Sequence, residues 1–439
     1  QVYQPAVQKW IKALIAALPE NGTPQTLDHR QAANLAQELS QALGAAWKLV
    51  FRDLEQPLFA FVRNKRRQHV LAQLLMAQAA LICTSLRTYS LPPVHGWEEL
   101  HRIFNATFES TSSAQTGVKP SVTLENVYKT TLLLALADPF RFTRAEMDAT
   151  LAYLNHYASL ALVAPPRQLE KTVFMINVQK DAPGTQTLAS TVEHGLMLDT
   201  QGLGKHLARL ARKLKSGEVP TKLGLPPVFE QVDALSLIER LQRGWCGGRQ
   251  REFKRYTPVE QLQIDAVCGV EAIHSLVGGS AGGPGSVAAA KWRMINDSAS
   301  GLSMTAQSRD IPQVLLGDPI AIRFPGHMDW ILGVIRWGKI TSGLSVEAGI
   351  EKLAPGAVPA MIRLLATGAQ QPAANTAEKA LLVQANEALQ IGERLLLPRG
   401  LYAADREAEL WHGGVRRKIL LLRLLEQSPV FDLVEFIYY

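Results

Sequence analysis

Across the first 165 or so residues the apolar positions recur at helical spacing. Trp10, Leu14 and Leu18 fall four apart, as do Leu35, Leu39 and Leu43. Side chains at that spacing share one face of a helix. Val70, Leu71, Leu74, Leu75, Leu81 and Ile82 then form a broad apolar face interrupted by Gln78. Pro92-Pro93 ends this region, because proline cannot continue the hydrogen-bond ladder. A further helix is expected from Trp97, with Leu100, Ile103, Phe104 and Phe108 on one side. Thr111 to Pro120 reads as a loop, and Leu124 to Ala137 as an apolar helix stopped at Asp138-Pro139. Thr143 followed by Glu146 spells a capping box at the next helix start. No fixed-period repeat is present, so the pattern describes a bundle or stack and not a solenoid.

The middle of the chain alternates between periods. Lys171 to Val178 reads as a strand with 194–199 as partner. Leu203 to Leu214 returns to helix, basic on one side, and Val232 to Leu241 forms another after the Pro226-Pro227 break. Beyond residue 255 short β-rich runs take over: 261–270, 292–295, 302–305, 318–324 and 330–337. Short strands separated by Gly, Pro, Asn and Asp are the pattern of a small antiparallel barrel. Gly278 to Ala290 reads as a flexible loop between strands. The 376–390 region reads as helix, and the apolar runs at 395–397, 418–424 and 430–438 as strands or a terminal helix. Trp330 and Trp337, an odd offset apart on one strand, point to opposite faces, and both are expected in the core.

The expected fold is therefore α+β and multidomain. A mainly helical domain at 1–225 leads through a connecting helix and linker at 226–248 into a β-barrel with extra helices and strands at 249–439. Apolar residues make up 47% of the 439 and charged residues 19%, enough core material for such domains. No run approaches the roughly 20 uninterrupted apolar residues needed to span a bilayer. No basic segment followed by an apolar core opens the chain, so a signal peptide is not expected. Gln1 stands where an initiator Met would, which leaves room for an upstream piece. Cys83, Cys246 and Cys268 are far apart and fit a reducing cytoplasm.

A net charge of +7 and a pI of 9.2 favour an anionic partner. The cations gather in knots at 64–67, 209–215, 249–255 and 416–418. The histidines form no HxxxH or HExxH pair, so no metal site is expected. The glycine-rich run at 278–290 lacks the Lys-Ser or Lys-Thr of a P-loop, and its GxSxG has no strand–turn–helix frame.

Two short patterns stand apart. Arg251-Glu252-Phe253-Lys254-Arg255 is an RxxxR, with Arg249 just before it, and Asn296 to Gly301 (NDSASG) is an NxSxxG. Guanidinium groups match phosphate oxygens and the guanine O6/N7 edge bidentately, and their planes stack on purines. Asn296 and Ser298 offer short polar groups to a base edge, and Gly301 a positive φ or room for close approach. In this order, flanking a strand, the motifs over residues 249–360 resemble those of the PilZ family of cyclic di-GMP receptors. The spacing between them is longer than that family usually shows, which the glycine-rich insertion accounts for.

The resemblance implies a non-catalytic receptor with cyclic di-GMP as ligand and no other cofactor. Its ligand set would be Arg251, Arg255, Asn296, Ser298 and Gly301, with Arg249 beside them. Ligand binding at the domain junction would reorient the two halves, with the helical half contacting a protein partner. Tyr128 to Pro139 loosely resembles the long amino-terminal regions of PilZ proteins tied to surface attachment, which implies control of pili, adhesion or motility. The one match to the catalytic motifs of messenger-metabolising enzymes is Glu387-Ala388-Leu389, which lacks the surrounding carboxylates for metal. Two alternatives remain: a nucleic-acid-binding protein gripping phosphates with the basic knots, and a ligand-blind barrel acting as a scaffold. The first lacks the aromatic platform of single-strand binders, and the second is at odds with intact motifs.

Overall fold

The computed structural model describes residues 3–54, 60–112, 122–165, 173–186, 195–246, 255–258, 262–279, 288–341, 345–365, 376–385 and 392–439. The chain divides into two compact units: Gln1–Glu20 with Thr26–Gln250, and Asn21–Gln25 with Arg251–Tyr439.

The first unit opens with helices α1 (Gln4–Ala16), α2 (Leu27–Leu54), α3 (Ala60–Arg87), α4 (Gly96–Ser112), α5 (Val122–Leu136) and α6 (Arg144–Tyr157). α2, α4 and α5 all pack on α3, whose Leu71, Leu74, Leu75 and Ile82 are buried. The Arg66–Arg87 stretch is long and apolar enough to cross a bilayer, yet 67% of it is buried like a core helix. Its polar interruptions are satisfied: Gln73 accepts from Gln4 (3.1 Å) and Gln78 donates to the Gly96 carbonyl (2.8 Å). The Thr143/Glu146 capping box forms with both bonds, 3.2 and 2.9 Å.

Two apolar faces are centred slightly off the expected line. Trp10 is 61% exposed while its neighbour Ile11 and Ile15 are buried; Leu18 is buried and Leu14 packs partly buried on the core, as expected. On α2, Leu39 and Leu43 pack partly buried on the core as expected, but Leu35 is exposed, and Ala33, Ala36, Ser40, Gly44 and Trp47 are the buried positions. A one-residue error turns a helix face by about 100°, and small buried residues give no hydrophobic signal to correct it.

Strands β1 (Leu162–Ala164), β2 (Val173–Asn177) and β3 (Gly195–Asp199) form a small antiparallel sheet ordered β1-β3-β2. α7 (Gln201–Lys215) and α8 (Ala234–Cys246) pack together, with Leu203, Leu207, Leu210, Leu237, Ile238 and Leu241 inward. Much of the loop expected at 111–120 lies outside the described residues, and α4 reaches Ser112.

The second unit carries two closed barrels. The first uses β4 (Gln263–Cys268), β5 (Ala290–Asp297), β6 (Gly301–Gln307), β7 (Pro319–Arg323), β8 (Ile331–Ile340) and β9 (Ser345–Ala354). Its strand order is β4-β5-β6-β9-β8-β7, and a short helix α9 (Val270–Val277) follows β4. The second uses β10 (Ala357–Leu364), β11 (Glu378–Val383), β12 (Arg394–Pro398), β13 (Arg406–His412), β14 (Val415–Gln427) and β15 (Phe431–Tyr438), closed in the order β10-β11-β12-β15-β14-β13.

The helix expected at 376–390 is thus a strand over its described part, and the expected extra helices and strands are one complete barrel. The reason lies in a third apolar layer. Val267, Ala321, Leu332 and Val334 of the first barrel meet Leu381, Val383, Leu396, Phe431 and Leu433 of the second. Each barrel also fills its own interior, the first with Trp292, Met304 and Ile350, the second with Leu382, Leu395 and Leu410. Strands between two such layers are buried on both faces and lose the alternation that marks a strand in sequence.

Asn21–Gln25 closes one end of the first barrel. Gly22 bridges Leu315, Leu316 donates to the Asn21 carbonyl (2.6 Å), and Thr23 to that of Val314 (3.3 Å). The Gln25 amide donates to Pro312 O (3.2 Å) and accepts from the Val314 N–H. Thr23 is fully buried, its methyl against Gly338.

Candidate ligand-binding site on the first barrel

β5 and β6 are joined by Ser298, Ala299 and Ser300, so the NxSxxG motif is the hairpin itself. The Gly301 carbonyl accepts from both the Ser298 N–H and the Ser298 Oγ, each at 2.8 Å. A β-bulge between Met294 and Asn296 resets the alternation of β5. Met294 faces Met304 in the core, so Arg293 (opposite Thr305) and Asn296 (opposite Ser303) both point outward. Without the bulge Asn296 would face the barrel interior. Its amide has no hydrogen-bond partner among the described residues and is only partly buried.

The register extends this row across four neighbouring strands: Asn296 on β5, Ser303 on β6, Gly349 on β9 and Trp337 on β8. The Trp337 indole lies over Gly349, where any Cβ would sit under 3.0 Å from the ring. Trp337 is therefore on the outside of the barrel and only half-buried, not in the core. Trp330 is likewise partly exposed, its ring under the Arg323 guanidinium at 4.5 Å. The next row carries Arg293, Thr305, Glu347 and Lys339, with Lys339 paired to Glu347 at 2.8 Å.

Gly301 has an ordinary negative φ, and the room it provides is already used. A Cβ there would fall under 3.0 Å from the Ile350 carbonyl of β9. The glycine permits β6 and β9 to pair closely. The expected positive φ is absent, and at this position strand pairing takes the room that the sequence reading left for a base.

Of the arginine motif, Arg255 lies among the described residues and is exposed; Arg249 and Arg251 lie outside them. Tyr256, the next residue, forms a two-way backbone bridge with the second residue of NxSxxG. Tyr256 N–H donates to Asp297 O at 2.7 Å and Asp297 N–H to Tyr256 O at 2.8 Å. Two motifs 41 positions apart, Arg255 and Asn296, are thereby held side by side. Arg255 and Arg293 have no ion-pair partner among the described residues. Other nearby charges are committed. Lys291 and Arg323 both donate to Asp265 (2.5 and 2.8 Å) and hold its carboxyl below the usual range. Lys352 donates to Asp297 Oδ1 (2.7 Å) and to the Ser298 carbonyl (3.0 Å).

This arrangement suits binding: free guanidinium groups, a free amide, a hydroxyl and a flat aromatic on one barrel face. Three or more His, Cys, Asp or Glu side chains gather nowhere among the described residues in a way that could hold a metal. Burial pushes the Cys268 thiol up to about 12 and those of Cys83 and Cys246 to about 11. Such thiols stay protonated and are poor nucleophiles. Glu387-Ala388-Leu389 lies outside the described residues.

Three family models match the chain in succession. Residues 1–167 match the amino-terminal domain of the cyclic-di-GMP receptor FimW. Residues 284–359 match its middle PilZ domain, and residues 362–439 its carboxy-terminal beta-barrel domain. The chain belongs to the FimW family of cyclic-di-GMP receptors. The middle match contains the NxSxxG hairpin, Trp337 and Lys352; Arg255, Tyr256 and β4 precede it. The two barrels correspond to two separate family domains, which explains why the PilZ resemblance covered only part of the second unit. No curated protein matches the chain.

Proposed function

We propose that cyclic di-GMP binds on the outer face of the first barrel, where Arg255 meets the Asn296–Gly301 hairpin. The observation that carries this reading is the two-way Tyr256–Asp297 bridge, which joins motifs that would otherwise be independent short patterns. Arg255, with Arg251 and Arg249 from the same stretch of sequence, takes phosphate oxygens and a guanine edge bidentately. Asn296 bonds a base edge with its free amide. Ser298, whose hydroxyl donates to Gly301 O, accepts through its oxygen lone pairs. Trp337, at the far end of the row, offers a stacking surface for a purine.

The chain acts in this reading as a receptor and not as an enzyme, in the cytoplasm, where its free thiols remain reduced. Binding is passed to a protein partner through the helical unit. The process under control is surface attachment, pili or motility. Competition titration tests the ligand assignment, with labelled cyclic di-GMP displaced by cyclic di-GMP, cyclic di-AMP or linear pGpG. Displacement by cyclic di-GMP at far lower concentration than by the other two, with weakened binding in Asn296→Ala, is the expected result. Equal displacement by all three, or by single-stranded DNA in a steeply salt-dependent manner, would replace this reading with generic polyanion binding.

A further inference from the structure

The second position of NxSxxG is the residue on which both sides of the site converge. Asp297 exchanges two backbone hydrogen bonds with Tyr256, beside Arg255. Its carboxylate is held by Lys352 of β9 at 2.7 Å. The same ammonium donates to the Ser298 carbonyl at 3.0 Å, and the Lys352 N–H donates to Ser300 O at 2.9 Å. Three bonds from one residue thus fix three residues of the hairpin: Asp297, Ser298 and Ser300. The Lys352 side chain is 17% exposed, and its ammonium lies 5.9 Å from the Phe324 ring centre. Asp297 itself is opposite Leu302, so its carboxylate turns toward the barrel end, away from the Asn296 row.

We infer that Lys352 is a positioning residue for ligand recognition: by clamping Asp297 from inside the hairpin it holds the backbone bridge that presents Arg255. This rests on the proposed cyclic di-GMP site. Lys352 need not touch the ligand. Without its ammonium the Asp297 carboxylate loses its counter-charge and the hairpin loses two of its three bonds to the Lys352 residue. The Tyr256 bridge then rests on a mobile partner, and fixing Arg255 in its binding geometry costs more conformational entropy on association. The lysine also neutralises the one acidic side chain in the hairpin, which would otherwise repel a dianion.

The test is a double-mutant cycle on the full chain, read by cyclic di-GMP affinity. Lys352→Met is expected to weaken binding about tenfold in the otherwise unchanged protein, and by less than about twofold when Arg255 is already Ala. Lys352→Arg, which keeps the cation, is expected to retain affinity within about threefold. A merely structural lysine would lower affinity by the same factor with or without Arg255. Equal loss in both backgrounds, or undiminished affinity in Lys352→Met, would overturn the inference. Failure of the underlying site is separately visible, because Arg255→Ala and Asn296→Ala alone would then bind like the unmodified chain.

Discussion

Gly301→Ala separates strand geometry from ligand contact. The added Cβ would lie under 3.0 Å from the Ile350 carbonyl, with Glu351 Cα at 3.6 Å behind it. Both neighbours are backbone, so no side-chain rotation relieves the clash, and β6 must move away from β9 by roughly 1 Å. Overpacking of this kind costs about 1–3 kcal/mol. The Gly301–Glu351 pair anchors the end of the β6–β9 ladder, so a weakened ladder bond adds about 1 kcal/mol. Loss of glycine's freedom in the unfolded chain returns about 0.4–1 kcal/mol. The net is about 2 kcal/mol, or about a thirtyfold rise in local opening. Native-state hydrogen exchange on the amides of β6 and β9 reads this directly. Protection there should fall about thirtyfold while the second barrel's amides keep theirs. Unchanged protection with lost ligand binding would refute the reasoning and return Gly301 to the role of making space for a base.

Trp337→Ala should weaken cyclic di-GMP binding by about fivefold to 150-fold, the range of about 1–3 kcal/mol for one base–aromatic stack, as read by equilibrium titration. Asp318 is 9% exposed, and burial raises its carboxyl from 3.8 to about 6. The protonated form is favoured in the folded chain, so its contribution is full below about pH 4 and is lost as pH rises through about 6. Asp318→Asn should therefore stabilise the barrel by about 1–3 kcal/mol at pH 8 and by almost nothing at pH 4, measured by urea denaturation at both values. Gln25→Ala would leave the buried Val314 N–H unpartnered, at about 1–3 kcal/mol, and should lower the unfolding midpoint of the barrel unit.

The sequence was most legible where one physical signal acted alone. The helices of the first unit followed their apolar period, and Thr143/Glu146 set a helix start because a capping box depends on neighbouring residues only. The NxSxxG hairpin was legible for the same reason, as Asn, Ser and Gly favour turns through their own chemistry. The second barrel was hidden by its position. Leu381-Leu382-Val383 and Leu395-Leu396-Leu397 alternate between their own core and the layer shared with the first barrel, so every position is apolar. Trp337 was assigned inward because bulk suggests core. The bulge between Ile335 and Trp337 and the absence of a side chain at Gly349 place it outside, and neither is visible in the sequence of β8. The Tyr256–Asp297 bridge and the Lys352 clamp are products of register and could not be read from spacing. Asn21–Gln25 is five polar or small residues between two helices, and nothing local marks it as the closure of a barrel about 290 residues away.

The most direct test of the central claim is isothermal titration of cyclic di-GMP into the full chain and into Arg255→Ala. A charge-assisted contact contributes roughly 1.5–3 kcal/mol, so the variant should bind about tenfold to a hundredfold more weakly. Binding by the unmodified chain and its loss in the variant would locate the ligand where the two motifs meet. Equal affinity in both proteins would contradict the account and place the ligand elsewhere on the molecule.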